Sequence, residues 1–361
     1  MTTRVHNFNA GPAILPKPVL EQVQAELLDY KGTGISILEA SHRSKEYEHI
    51  NAEAQARLKG LLGLGDEYSV MFLGGGASQQ FAMVPMNFLQ PGRTADYVVT
   101  GTWTEKALEE ASKIGQTRVA ASTKEGGYRR VPRQEEISLS PEPAYVHICS
   151  NETVVGTQWH YWPEVGDAPL VADMSSDFLS GPVDAQRLAL IYAGAQKNVG
   201  PAGVTVVAAR TDWLEEAPKN LPTMLRYATF AKNKSLYNTP PVFGVYVLNL
   251  VLGWIQDLGL DALRARNEKK AGIVYGAIDN SEGFYQGHVE KDSRSLMNAT
   301  FRLPSEVLEK EFVRESLSEG FVGLAGHRSV GGIRVSMYNA MEVEGCEALA
   351  AFMQEFARRH G

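Results

Sequence analysis

An aspartate and a lysine near the middle of the chain follow two short apolar runs. Asp173 ends the run LVAD, and Lys197 follows LALIYAG and a turn of small residues. A lysine amine can form a Schiff base with an aldehyde, and a carboxylate can keep a ring nitrogen protonated. The pair therefore suggests a pyridoxal-phosphate enzyme, with Lys197 carrying the cofactor and Asp173 facing its ring nitrogen. Alone, either residue is more often a surface or capping residue, so the neighbouring motifs decide between the two interpretations.

A glycine-rich turn predicts a binding site for an anion. The sequence SVMFLGGGASQQ is typical of a buried strand, a tight turn and a helix that starts near Gln79. Free N–H groups in the turn, together with the helix dipole, favour a phosphate at this point. Dinucleotide-binding proteins also use such turns, but the pattern GxGxxG is not present here. An ordinary glycine turn is the third interpretation.

Four further residues outside the predicted helices could bind a ligand. Trp103 stands just after the strand ADYVV, where an open α/β sheet places its ligands, and could stack on a flat ring instead of packing in the core. Arg43, Arg328 and Arg334 lie on non-helical stretches, two of them beside a histidine. They could clamp a carboxylate and a phosphate, and ordinary surface charge is the alternative.

The elements that must position these residues follow an alternating pattern. From about residue 68 to residue 210, apolar strands alternate with helical stretches, which predicts a mostly parallel sheet with helices on both faces. Helices are predicted over residues 18–30 and 46–62, and a short strand or extended run is predicted from Ile35 between them. The fold class is therefore α/β.

The chain changes character near residue 259, where charged amphipathic helices and short alternating strands begin. This change predicts a second, smaller α+β domain. The predicted division is an N-terminal segment over residues 1–15, a large domain over residues 16–258 and a small domain over residues 259–361.

Composition excludes several classes of function. The chain has 361 residues, 44% of them hydrophobic, and a net charge of −7 without any basic run, so no nucleic-acid partner is expected. No apolar run is long enough to predict a membrane span or a secretory signal. Cys149 and Cys346 fit no metal spacing and are expected to be reduced thiols in a cytoplasmic protein, and no metal site is predicted.

Several motifs together resemble the phosphoserine aminotransferase family, over nearly the whole chain. They are NFNAGPAILP, EASHRSKEY, the GGGAS turn, TADYVVTGTW, SNETVVGT, ADMSSDF, IYAGAQKNVGPAG, YNTPP and GHRSVGGIRVSMYNA. The resemblance implies a fold-type I pyridoxal-phosphate transferase with a seven-stranded sheet in the large domain. It also implies a homodimer with shared active sites.

The resemblance implies roles for the cofactor-binding residues. Lys197 would form the Schiff base and move the substrate proton, and Asp173 would pair with the ring nitrogen. Trp103 would stack on the ring, and Thr153 would bind its hydroxyl. The residues implied for the cofactor phosphate are Ala77, Ser78 and Gln196, with Asn238 and Thr239 from the partner subunit. Some family members have arginine after the third glycine of the turn, whereas this chain has Ala77, so backbone donors are expected to suffice there.

The resemblance also implies the substrates. Arg334 would bind the substrate α-carboxylate. Four residues would receive the phosphate or the glutamate side-chain carboxylate, some of them from the partner subunit: His42, Arg43, His327 and Arg328. Glutamate would give its amino group to 3-phosphohydroxypyruvate in a ping-pong reaction through the pyridoxamine form of the cofactor. The products would be O-phosphoserine and 2-oxoglutarate, and a related reaction would serve pyridoxine biosynthesis.

Two alternatives stay open at this point. A cysteine desulfurase or lyase of the same fold would need a mobile cysteine near the cofactor, and neither Cys149 nor Cys346 lies in a stretch that predicts one. A non-catalytic phosphate-binding protein would use the glycine turn without needing Lys197.

Overall fold

The structure is a computed structural model that describes residues 4–361, in which strands and helices alternate. The strands are β1 His6–Asn7, β2 Tyr68–Leu73, β3 Thr94–Val99, β4 Gln116–Ser122, β5 Val146–Cys149, β6 Asn151–Glu152, β7 Thr157–Gln158, β8 Leu170–Asp173, β9 Leu190–Gly194, β10 Thr205–Arg210, β11 Gln286–Gly287, β12 Asn298–Arg302, β13 Phe321–Val322 and β14 Ile333–Ser336. The α-helices are α1 Lys17–Glu26, α2 Lys45–Leu62, α3 Gly76–Phe88, α4 Thr102–Ser112, α5 Thr211–Glu215, α6 Tyr227–Lys232, α7 Val242–Leu258, α8 Leu260–Asp279, α9 Glu306–Ser318 and α10 Val343–His360.

The largest sheet has seven strands in the spatial order β2-β10-β9-β8-β5-β3-β4. Strand β10 runs antiparallel to both of its neighbours, and the other neighbouring pairs are parallel. One face packs against α2 and α7, and the other packs against α3 and α4. Strands covered on both faces read as continuous apolar runs, as in the fully buried LIYAG of β9. The predicted mostly parallel, seven-stranded α/β sheet is confirmed.

Two local predictions are wrong. The segment that starts at Ile35 forms turns instead of a strand or extended run. The hydroxyls of Ser36 and Ser41 accept hydrogen bonds from nearby backbone N–H groups, which competes with strand pairing. Helix α3 begins at Gly76 instead of near Gln79, because Gly75 adopts a left-handed conformation (φ 82°) that completes the turn early.

The C-terminal part of the chain has a hydrophobic core of its own. Its sheet, β11-β12-β14, is antiparallel and packs against α8, α9 and α10. Phe8 and Ile14 of the N-terminal segment are buried in the same core, and β1 pairs with β13. The N-terminal segment therefore packs with the C-terminal part of the chain. The division at residue 259 stays a prediction.

Helices α7 and α8 meet at Gly259, which adopts a positive φ of 79°. By length and hydropathy, no single helix within residues 4–361 qualifies as a membrane span. Helices α7 and α8 pass that test only when they are taken together, as a pair bent by 90°. Nine residues of α7 are buried in the structure.

Candidate active site

Nine of the predicted site residues line one cavity of about 330 Å³. It lies at the carboxyl ends of β8 and β9, the edge of a parallel sheet at which ligands bind. A cavity of this volume is large enough to take a small molecule. The nine residues are Ala77, Ser78, Trp103, Thr153, Asp173, Gln196, Lys197, His327 and Arg334.

Lys197 lies in the turn after β9 and is partly exposed. Its Nζ donates a hydrogen bond of 2.6 Å to the Oγ1 of Thr153 and lies 5.6 Å from the centroid of the Trp103 ring. Gly194 ends the strand and Ala195 follows it in the turn, so small residues lie near the lysine. The amine is therefore held at a defined position beside a flat aromatic ring and stays open to a ligand.

Asp173 ends β8 and is buried. Its Oδ1 accepts a hydrogen bond of 2.9 Å from the Ser175 N–H. Burial raises the pKa of Asp173, while hydrogen bonds from Ser175 and the positive charge of Lys197 oppose the rise. A hydrogen bond from the Tyr192 side chain opposes the rise as well. A buried carboxylate at the edge of a cavity is suited to pair with a bound cation, such as a protonated ring nitrogen.

The N-terminus of α3 opens onto the same cavity. Ala77 and Ser78 belong to the first turn of α3, so their N–H groups have no acceptor within the helix. Such groups, together with the helix dipole, attract a phosphate. Gln196 reaches the cavity from the turn after β9. These donors, with Lys197 and Asp173, fit a ligand that has an aldehyde, a ring nitrogen and a phosphate.

Arg334 adds positive charge to the cavity, and His327 adds a polar imidazole. The Nη1 of Arg334 donates a 3.4 Å hydrogen bond to the Thr153 carbonyl, and its buried Nε has no hydrogen-bond partner within the described part of the chain. Burial and the nearby charge of Arg334 lower the pKa of His327, whose Nδ1 lies 2.7 Å from the Ser329 hydroxyl. An arginine with an unused donor is suited to bind a carboxylate or a phosphate.

Comparisons with known proteins show which family the chain belongs to. The sequence model of the family Aminotransferase class-V matches residues 5–349. A phosphoserine aminotransferase from Herpetosiphon aurantiacus is 59% identical over 358 residues, which cover 99% of each chain. The solved phosphoserine aminotransferase from Bacillus circulans subsp. alkalophilus is 58% identical, covers 99% of both chains and has a TM-score of 0.98. This chain belongs to the phosphoserine aminotransferase family.

The predicted resemblance, fold and enzyme class are therefore confirmed, and the chain is an aminotransferase. A more distant structure, a PLP-bound phosphoserine aminotransferase from Trichomonas vaginalis, is 37% identical with a TM-score of 0.91. It covers 97% of this chain and 100% of its own length.

Cys149 lines the cavity of this aminotransferase but is held in its wall. The side chain is 3% exposed, and its Sγ donates to the Asn151 carbonyl at 3.4 Å. Burial, with the negative charges of Glu152 and Asp173 adding to it, raises the pKa of the Cys149 thiol well above its usual range. Because a thiolate is the reactive form, this residue is unsuited to the nucleophilic role that a desulfurase requires.

Five predicted site residues do not line the cavity. Arg328 lines a neighbouring groove with Arg302, in the loop that follows His327. The other four lie elsewhere on the single chain, three of them exposed to solvent and His42 partly buried: His42, Arg43, Asn238 and Thr239. The assignment of Asn238 and Thr239 to the cofactor phosphate of a partner subunit stays a prediction, and so does that of His42 and Arg43 to an anionic group of the substrate.

Two residues of the N-terminal segment line the cavity although no role was predicted for them. They are Ala10 and Gly11, and the nearby Ala13 N–H donates to the Gln196 carbonyl at 2.8 Å. A Cβ at Gly11 would lie 3.4 Å from the Cγ of Lys197, so the segment passes close to the lysine. The Gly-Pro pair at residues 11 and 12 marks a turn in the sequence but does not indicate what the turn contacts.

Proposed function

We propose that this aminotransferase uses pyridoxal 5'-phosphate to move the amino group of L-glutamate to 3-phosphohydroxypyruvate. The products would be O-phospho-L-serine and 2-oxoglutarate. The observation that carries the proposal is the placement of Lys197 and Asp173 in one cavity with the N-terminus of α3. The PLP-bound relative from Trichomonas vaginalis supports the choice of cofactor.

The cofactor supplies an aldehyde that accepts an amino group and a ring that takes up the electron pair released at the substrate Cα. Lys197 would hold the aldehyde carbon, and Asp173 would hold the ring nitrogen in its protonated form. Trp103 would pack against the cofactor ring, and Thr153 would bind the ring hydroxyl. Three residues of this chain would bind the cofactor phosphate: Ala77, Ser78 and Gln196.

Lys197 is also the group that moves the proton. Its Nζ would act as the base that takes the proton from the substrate Cα and as the acid that returns it to the cofactor. The hydrogen bond to Thr153 holds the Nζ in the cavity. 2-Oxoglutarate would leave before 3-phosphohydroxypyruvate binds, so the reaction would be ping-pong.

The basic residues select a substrate with two anionic groups. Arg334, with its unpaired Nε, binds the α-carboxylate that both substrates share. His327 and Arg328 bind the second anionic group, which is a phosphate in the keto acid and a carboxylate in glutamate. His42 and Arg43 of the partner subunit complete this second site. The same reasoning admits 4-phosphohydroxy-L-threonine as a product, for pyridoxine biosynthesis.

A homodimer would bring the remaining site residues into place. Leu28 and Leu38 are 85% and 60% exposed on the segment that leads to His42 and Arg43, and Tyr237 is exposed beside Asn238. Exposed apolar side chains clustered along such a segment favour a protein interface. Across it, Asn238 and Thr239 would reach the cofactor phosphate of the partner. We place this dimer in the cytoplasm, because both cysteines are free.

Absorption spectra of the purified protein with pyridoxal phosphate test the proposal. The visible band of the bound cofactor should shift to shorter wavelength on addition of glutamate and return on addition of 3-phosphohydroxypyruvate. Borohydride reduction should fix the cofactor on the peptide that contains Lys197. Lys197→Ala should lose the band and the turnover, whereas Lys113→Ala, at a surface lysine paired with Glu110, should keep both. Holoprotein that fails to turn over these two substrates would refute the proposal.

A further inference from the structure

Helix α4, which carries Trp103 in its first turn, begins without a cap from its own chain segment. The residue before the helix is Gly101, which has no side chain to accept the free N–H groups of the first turn. Other helices in the molecule use an ordinary cap, such as Ser305, whose hydroxyl accepts from the Leu308 N–H at the start of α9. The start of α4 therefore needs an acceptor from elsewhere.

Glu152 of β6 supplies that acceptor from a distant point in the sequence. Its Oε2 accepts from the Trp103 N–H at 3.1 Å, and its Oε1 accepts from the Thr104 N–H at 3.0 Å. The Thr104 hydroxyl donates to the same Oε1 at 2.9 Å. Three donors thus converge on one carboxylate, and the Glu152 side chain is 1% exposed.

Gly101 leaves the space in which Glu152 lies. A Cβ at Gly101 would be 2.6 Å from the Cδ of Glu152 and 2.7 Å from its Oε2, closer than real Cβ contacts allow. The φ of Gly101 is 167°, an extended conformation that any residue adopts, so the need for glycine here is one of space. Gly101 and Glu152 thus form one packed arrangement, in which the carboxylate occupies the space that a side chain at residue 101 would need.

This arrangement lies directly beside the Lys197 site. Thr153, the residue after Glu152, accepts the hydrogen bond from the Lys197 Nζ. Two consecutive residues of one short segment thus contact the start of the helix that carries Trp103 and the amine of Lys197. Burial raises the pKa of Glu152 to about 7, and the N–H groups of Thr104 and Trp103 oppose that rise.

We propose that Glu152 is a positioning residue that holds the Trp103 ring at a fixed place relative to Lys197, so that the ring of a cofactor bound to Lys197 stacks on it. The inference rests on the proposed use of pyridoxal phosphate. Glu152 itself contacts neither cofactor nor substrate. Its carboxylate acts through the backbone N–H groups of Trp103 and Thr104.

The test compares variants of Glu152 with a matched loss of a cap far from the cavity. Glu152→Gln keeps the size of the side chain but turns an N–H donor toward the N–H groups of the helix. Glu152→Ala removes the side chain, and Ser305→Ala removes the cap of α9. The dissociation constant of pyridoxal phosphate is measured by absorbance titration at pH 8, with the circular dichroism of the cofactor band and the melting temperature.

We expect both Glu152 variants to raise the dissociation constant about tenfold or more, the equivalent of one lost interaction, and to change the circular dichroism of the cofactor band. Ser305→Ala should lower the melting temperature but leave both cofactor measurements at the parental values. Gly101→Ala, which displaces the carboxylate, should reproduce the effect of Glu152→Gln. Glu152→Gln with parental affinity and dichroism would overturn the inference. Parental protein that binds no cofactor would instead overturn the proposed function.

Discussion

The Nζ of Lys197 donates a 2.6 Å hydrogen bond to the Oγ1 of Thr153, which lies 44 residues earlier in the chain. This contact fixes the amine at the carboxyl edge of the sheet. Thr153→Val keeps the shape of the side chain and removes the acceptor. We expect kcat/KM for glutamate to fall by about 10- to 100-fold, because hydrogen bonds to charged groups contribute about 1.5–3 kcal/mol. Steady-state kinetics of the holoenzyme measure the loss.

Thr153→Ser is the matched control, because it keeps the hydroxyl and loses only a methyl group. It should retain kcat/KM within a few-fold of the parental value. Equal losses in the serine and valine variants would show that the methyl packing of Thr153, and not its hydroxyl, supports Lys197.

Asp173 and Asp177 are two buried carboxylates on one short segment, but they face different partners. Asp177 accepts from the Ser150 hydroxyl and from the Gln158 amide, and it lines a different cavity from that of Lys197. Asp173→Asn should reduce kcat by about 10²–10³-fold, the size expected when one electrostatic contact to the reacting group is lost. Asp177→Asn should retain most of the turnover. Similar kcat values for the two variants would contradict the pairing of Asp173 with the ring nitrogen.

The sequence was sufficient to predict the centre of the site. Asp173 and Lys197 follow strands that are buried on both faces, so the strands read as clear apolar runs. Neighbouring parallel strands end at the same edge of a sheet, and residues that follow them must therefore meet. The GGGAS turn was found for a similar reason, because glycines after a buried strand mark a sharp change of direction.

Other parts of the site and fold leave little trace in the sequence. Strand β4 was not predicted, because it lies at the edge of the sheet and most of its residues are exposed, so QTRVAAS has no apolar run. The contact between Glu152 and Thr104 joins residues 48 positions apart and follows no periodic pattern. Gly11 lies beside Lys197 only because the N-terminal segment crosses from the C-terminal core.

The buried side chain of Asn198, in the turn of Lys197, contacts the segment that follows the strand of Arg334. Its Oδ1 accepts a hydrogen bond of 3.0 Å from the Asn339 N–H. Asn198→Ala leaves this buried N–H without its partner, which costs about 1–3 kcal/mol of unfolding free energy. We also expect the KM for glutamate to rise several-fold, because Arg334 loses its fixed place. Urea unfolding and steady-state kinetics measure the two effects.

Asn233→Ala is the control for this prediction. Asn233 is exposed, and its side chain donates only to the Thr229 carbonyl within its own short helix. Its removal should change the unfolding free energy by less than about 0.5 kcal/mol and leave the KM for glutamate unaltered. If Asn198→Ala loses stability with an unchanged KM, Asn198 supports the fold without placing Arg334.

His147 of β5 should make stability depend on pH. It is 2% exposed, its Nε2 lies 2.8 Å from the Tyr192 hydroxyl, and burial lowers its pKa to about 3. In the unfolded chain its pKa is about 6.5, so between pH 3 and 6.5 the unfolded state binds the additional proton. The unfolding free energy must therefore rise with pH across this window, by at most about 1.4 kcal/mol per pH unit from this group.

His147→Gln should flatten that slope in urea unfolding at pH 4, 5 and 6, whereas His160→Gln, at an exposed histidine, should keep it. Buried acids such as Asp177 contribute to the slope of the unfolding free energy against pH with the opposite sign. The difference in that slope between variant and parent is therefore the quantity that tests the prediction. An unchanged slope in His147→Gln would show that His147 is already protonated in the folded state.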